Sequence, residues 1–132
     1  MKKNVKILIV EDNRDLSHLT QTALIKQGYE VSAFHEAATA IGYARMNRPD
    51  LILMDVLLPG ISGADAVKEL KFDQQLQSVP VVFLTGLVSA GDKNLEDSGI
   101  KVDGLNYPTL GKPYDMEKLL EVIRKYANQG DI

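Results

Sequence analysis

Short, almost wholly apolar runs alternate along this chain with longer stretches whose apolar residues recur every three or four positions. Residues 5–10 form the first run, which stops at Glu11-Asp12-Asn13. Its valines and isoleucines predict a strand buried on both faces. Leu16, Leu19, Ala23 and Leu24 then fall at the spacing of one helix face. Gly28 predicts the end of that helix, because glycine readily takes the left-handed position just past a last turn. In residues 29–34, Tyr29, Val31 and Ala33 alternate and predict a second strand. Ala37, Ala40, Ile41 and Ala44 predict a second helix, broken by Asn47-Arg48-Pro49-Asp50. Leu51-Ile52-Leu53-Met54-Asp55 is a third strand, and Val56-Leu57-Leu58-Pro59-Gly60 carries a turn directly after it. Ser62 and Asp65 are spaced as a capping box, with Asp in place of the usual Glu or Gln. Gly63, Ala66, Val67 and Leu70 line the helix that follows. Residues 79–85 predict a fourth strand that ends on Thr85-Gly86. Between 87 and 103, Gly91, Gly99 and mixed charges leave room for only a short helix. Residues 105–110 predict a fifth strand, ending at Gly111-Lys112-Pro113. Met116, Leu119, Leu120, Ile123 and Ala127 predict a last helix, with Asp115 as its cap.

The order is strand–helix, five times over. Such alternation predicts an α/β fold: a doubly wound parallel sheet with helices on both faces. Right-handed crossovers leave few topologies, of which the flavodoxin-like order 2-1-3-4-5 fits best. Residues 1–132 are expected to form one domain, with no output domain.

Composition narrows the functions. The chain has 132 residues, 45% apolar and 25% charged, enough for a core without staples. A net charge of -3 gives no electrostatic ground for nucleic-acid binding. The absence of cysteine excludes disulfides, thiolate metal sites and cysteine nucleophiles. No apolar run nears the roughly 18 residues of a membrane span, and the first strand is too short for a signal sequence. A soluble cytoplasmic protein is expected.

Four of the five strands end on a residue able to do chemistry: Glu11-Asp12, Asp55, Thr85 and Lys112. In a parallel sheet these ends share one rim, and strands one and three flank the switch point where ligands bind. Three clustered carboxylates repel one another, and a hard divalent cation such as Mg²⁺ resolves the repulsion. Asp12 and Asp55 suit direct ligation, Glu11 suits a role through water, and the Leu57 backbone carbonyl suits the remaining protein ligand. Asp55 then reads as a nucleophile that carries a phosphoryl group. Lys112 supplies a cation, and the Thr85 hydroxyl a hydrogen bond, to phosphoryl oxygens. A cis Lys112–Pro113 bond would turn the chain and help aim the ammonium at the rim. His18, on a solvated helix face, and His35, in a loop, are assigned no role.

These residues carry a resemblance. ILIVEDN around Glu11 and Asp12, LILMDVLLPGISG around Asp55, VVFLTG around Thr85 and GKPY around Lys112 resemble, in order and spacing, the receiver domain of bacterial two-component response regulators. The resemblance implies that Asp55 accepts a phosphoryl group from a partner kinase's phosphohistidine, with Mg²⁺ required. It implies a sensor histidine kinase or phosphotransfer protein as donor and a downstream protein as target. Thr85 and Lys112 would pass the event to the last two helices and strand five. The domain would be a monomer or a weak phosphorylation-dependent dimer, and not a turnover enzyme. Two departures from the family stand out. The usual aromatic switch position, three before the lysine, holds Thr109. Tyr107, expected on the same strand face, either substitutes for it or the aromatic switch is absent. The stretch from Gly86 to Lys112 is also longer than usual. Apolar Leu57 and Leu87, flanking the path of attacking water, lead to the expectation of a long-lived phosphoryl group.

Other functions fit less of the sequence. A phosphohydrolase using an aspartyl phosphate wants an acid two residues after the nucleophile, where Leu57 stands. A flavin module wants a Ser/Thr/Gly-rich phosphate loop after strand one, where Glu11-Asp12 would repel a phosphate. A docking module that works without phosphorylation leaves the full acid set unexplained.

Overall fold

The computed structural model describes residues 4–86 and 99–127. Strands β1 (Lys6–Val10), β2 (Glu30–Phe34), β3 (Leu51–Asp55), β4 (Val81–Thr85) and β7 (Thr109–Gly111) form one parallel sheet in the order β2-β1-β3-β4-β7. Helices α1 (Arg14–Lys26), α2 (Ala37–Met46) and α3 (Gly63–Lys71) connect strands, and α4 (Met116–Ala127) follows the last strand; these are the helices among the described residues. This is the flavodoxin-like topology that the alternation predicts, with β1 and β3 at the switch point. The helix expected within 87–103 falls largely on 87–98, outside the described residues, as does Leu87.

Because successive strand residues point to opposite faces, the sheet divides the core in two. Leu8, Val10, Ile52, Met54, Val81 and Phe83 pack with α2 and α3. Ile7, Ile9, Leu51, Leu53, Val82 and Leu84 pack with Leu24 of α1 and with Leu119, Val122 and Ile123 of α4. The same alternation puts Asp55 in register with Leu51 and Leu53, and Thr85 with Val81 and Phe83.

Local signals set the helix ends. Asn13 Oδ1 accepts from Leu16 N at 3.0 Å, Ser62 Oγ from Asp65 N at 3.1 Å and Asp115 Oδ1 from Lys118 N at 2.7 Å. Gly28 follows α1 with φ +96°. Helix α1 departs from expectation: it buries Ser17, Thr20 and Leu24, while Leu19 is 65% exposed. Its first turns lie next to the polar rim, where small hydroxyl residues fit better than leucines.

The expected fifth strand over 105–110 is two elements. Leu105–Tyr107 (β6) pairs antiparallel with Ile100–Val102 (β5) in a hairpin, and Thr109–Gly111 alone joins the sheet. The hairpin turn is Asp103-Gly104, both at positive φ (50° and 83°), as a two-residue turn requires. Pro108 separates the pieces; its carbonyl accepts from Phe83 N at 2.9 Å. Tyr107 and Thr109 therefore do not share a strand, which corrects the expected common strand face.

Candidate functional site

The carboxyl ends of the strands bring Glu11, Asp12 and Asp55 together, with ligand oxygens all within 4.8 Å of one another. Glu11 (1% exposed) and Asp55 (4%) are buried, and Asp12 is open to solvent. Lys112 reaches between the buried pair: Nζ lies 2.9 Å from Glu11 Oε1 and 3.1 Å from Asp55 Oδ2. Glu11 Oε2 accepts from Asn13 N at 3.0 Å, and Asp55 Oδ1 from Leu57 N at 3.3 Å.

The backbone explains how Lys112 arrives. Lys112 N donates to Thr85 O at 2.8 Å, which extends the β4–β7 ladder by one bond. The Lys112–Pro113 peptide is cis. The Tyr114 hydroxyl and Thr20 Oγ1 are 2.6 Å apart, and Thr20 Oγ1 donates to Leu16 O at 2.9 Å. Thr20 has then spent its proton, so Tyr114 is the donor, and it ties the lysine loop to α1.

Electrostatics separate the two buried acids. Burial raises Asp55, neighbouring Glu11 raises it further, and Lys112 only partly offsets them; its carboxyl is pushed up to about 6. Burial would raise Glu11 too, but the Asn13 N–H and the Lys112 ammonium outweigh it and hold Glu11 below the usual range. Burial would lower Lys112, yet its two carboxylate partners raise it. Two acids and one cation leave a net negative pocket, and the strain falls on Asp55. The donor set is three carboxylates without nitrogen or sulfur, the chemistry that a hard cation such as Mg²⁺ prefers.

The remaining candidates are placed as follows. Thr85, buried, ends β4 one residue past Leu84, the register partner of Asp55. Leu57 is 63% exposed and touches Asp55 through its N–H. Pro59 lines a cavity of about 610 Å³ with Asp12, Arg14, His35 and Thr39, and Gly60 takes φ +82° in the same loop. Thr109 pairs with Phe83. Tyr107 is not brought to the rim: it packs edge-on against Phe83 (5.8 Å, 79°) on the α2/α3 side, under the Lys71 ammonium.

The chain matches the response regulator receiver domain family model over residues 7–124. The chain belongs to the response regulator receiver family. It is 33% identical over 121 residues to the polar-differentiation response regulator DivK of Brucella anthropi, covering 91% of this chain and 94% of that one. Its fold matches chemotaxis protein CheY4 of Vibrio cholerae with a TM-score of 0.78 at 26% identity, over 94% and 99% of the two chains. It also matches the receiver domain of a sensor histidine kinase from Pseudomonas aeruginosa with a TM-score of 0.81 at 26% identity, over 96% and 100%; that domain carries a magnesium ion coordinated in its active site cleft. This receiver domain is thus a signalling module of two-component systems, with an acidic pocket at the sheet's switch point. None of its described helices is long and apolar enough to cross a membrane.

Reading strand ends for chemistry missed one strand. β2 ends at Phe34, and the next residue, His35, places Nδ1 2.9 Å from Glu11 O. Applying the rim rule to all five strands finds it. Asn13, Thr20 and Tyr114 left no such trace, because their roles rest on backbone and loop geometry.

Proposed function

We propose that this receiver domain is a phosphorylation-controlled switch: Asp55 takes a phosphoryl group from the phosphohistidine of a sensor histidine kinase or phosphotransfer protein, and a downstream protein reads the change. The observation that carries it is the convergence of Glu11, Asp12, Asp55 and Lys112 at the switch point, where Asp55 alone is both buried and poorly neutralised. Asp12 and Asp55, with the Leu57 carbonyl, would hold Mg²⁺, and Glu11 would act through water. Bound there, the metal supplies positive charge that neutralises phosphoryl oxygens and lets a carboxylate approach them.

The chain's own groups do the rest. The Leu57 N–H orients Asp55 Oδ1, and a carboxylate oxygen attacks phosphorus. An O–P bond forms as the P–N bond breaks, and the leaving imidazole recovers a proton. Lys112, already 3.1 Å from Asp55, shifts to a phosphoryl oxygen. The Thr85 hydroxyl turns to the new group and couples it to the neighbouring strand. Reversing a 1:99 population takes about 5.5 kcal/mol of differential binding, and these contacts supply part of it. The module would act in the cytoplasm as a monomer or weak phosphorylation-dependent dimer, through protein partners and without direct contact to nucleic acid or membrane.

The test is incubation with Mg²⁺ and acetyl phosphate, read by intact mass. The expected result is one added phosphoryl group on wild type, none on Asp55→Asn and none in EDTA. No gain on wild type, or an equal gain on Asp55→Asn, would overturn the reading.

A further inference from the structure

We infer that His35 is a positioning residue for Asp12: its ring pins the peptide unit that leads into Asp12 and so sets the geometry in which the acidic cluster takes a divalent cation. The inference rests on reading that cluster as a Mg²⁺ site. The last residue of β2, Phe34, and the one after it, His35, hold the two peptide units around Glu11. The Glu11 N–H donates to Phe34 O at 3.0 Å, and Glu11 O sits 2.9 Å from His35 Nδ1. A carbonyl oxygen can only accept, so Nδ1 carries the proton and donates. The bonded oxygen belongs to the Glu11–Asp12 peptide. That unit is planar, so fixing its oxygen also fixes its nitrogen, the nitrogen of Asp12.

The three acids differ in what else holds them. Glu11 is anchored by Lys112 and Asn13 N, and Asp55 by Lys112 and Leu57 N. Asp12 is exposed, and its carboxylate makes no hydrogen bond or ion pair among the described residues. Its placement is inherited from the backbone on either side. On one side that is the His35 bond; on the other it is Asn13, fixed by its bond to Glu11 and by capping α1. Loss of the ring therefore frees Asp12 while leaving the Asp55–Lys112–Glu11 arrangement intact. His35 is half-buried and walls the open cavity of about 610 Å³ beside Asp12. Truncation there enlarges space already open rather than hollowing the core.

The test compares the full chain with His35→Ala, His35→Asn and His35→Gln. Mg²⁺ affinity is measured by calorimetry without phosphodonor, and acetyl phosphate labelling is followed against Mg²⁺ concentration. Partners of metal ligands commonly change affinity 10–100-fold; this bond is one step removed, so His35→Ala is expected to weaken Mg²⁺ about five- to tenfold. His35→Asn puts an amide N–H where Nδ1–H was and is expected to stay within about twofold of wild type. His35→Gln keeps the bulk but sets its amide too far out, and is expected to follow Ala. At saturating Mg²⁺ the labelling rate of all three returns to the wild-type value, and melting in EDTA falls by no more than the loss of one part-buried hydrogen bond. Wild-type affinity in both Ala and Gln, or equal weakening in Asn and Ala, would overturn the role of His35. If wild type itself binds no Mg²⁺, the reading of the cluster falls and the inference with it.

Discussion

Asp55 is held under opposing demands. As the proposed phosphoryl acceptor it would react away from bulk water, yet burial beside Glu11 penalises its charge. With a carboxyl raised from 3.8 to about 6, the metal-free native state holds, between those two values of pH, a proton that the unfolded chain has released. Stability from this group is therefore present at low pH and is lost as pH rises from about 4 to about 6. Glu11 works the other way, since its lowered carboxyl adds stability that is lost only as pH falls below its ordinary 4.5. In EDTA at pH 7, Asp55→Asn is expected to melt higher than wild type, by on the order of 2 kcal/mol. Its melting profile between pH 4.5 and 6 should also be flatter. A lower melting temperature for the variant would mean that Lys112 satisfies Asp55 better than its burial suggests. The acids were legible in the sequence because they follow apolar runs whose ends share one rim, so that their joint placement carries a signal that no one of them does. Their unequal ionisation was not legible, because it depends on which oxygens one lysine reaches.

Among the elements, the hairpin is where hydrophobic periodicity and structure part. Residues 105–110 look like one strand because their apolar residues nearly alternate, and periodicity alone cannot locate a break. Two local signals mark it. Asp103-Gly104 between Val102 and Leu105 is a two-residue hairpin turn, and Pro108 cannot donate to a ladder. By contrast, β1, β3 and α3 were readable because pattern, cap and turn agree there. The hairpin buries Tyr107 against Phe83, and the Tyr107 hydroxyl has no hydrogen-bond partner among the described residues. An unmet buried hydroxyl costs about 1–3 kcal/mol. Tyr107→Phe is accordingly expected to raise the melting free energy by about 1 kcal/mol and leave Asp55 labelling unchanged. A destabilised Phe variant would show that the hydroxyl finds a partner in solution.

At the scale of the whole molecule, the layers meet closely under the site. Gly63 opens α3 directly on the end of β3: its N–H donates to Val56 O at 3.0 Å, and an added Cβ would collide with the Asp55 carbonyl and meet Val56 Cα at 3.1 Å. Backbone cannot yield as a flexible side chain does, so Gly63→Ala is expected to cost about 2–3 kcal/mol and to slow acetyl phosphate labelling. A neutral Gly63→Ala in thermal melts would show that α3 slides freely on the sheet. The alternation of the strands has a larger consequence. Asp55 belongs to the register that faces α1 and α4, and Thr85 to the register that faces α2, α3 and the hairpin. Between them lies a sheet of packed apolar side chains that no polar message can traverse. A phosphoryl group bridging Asp55 and Thr85 would go around that barrier instead of through it. Under the proposed function the rim would work like a doorway between two rooms: one would hold the chemistry, and the other would hear of it through Thr85.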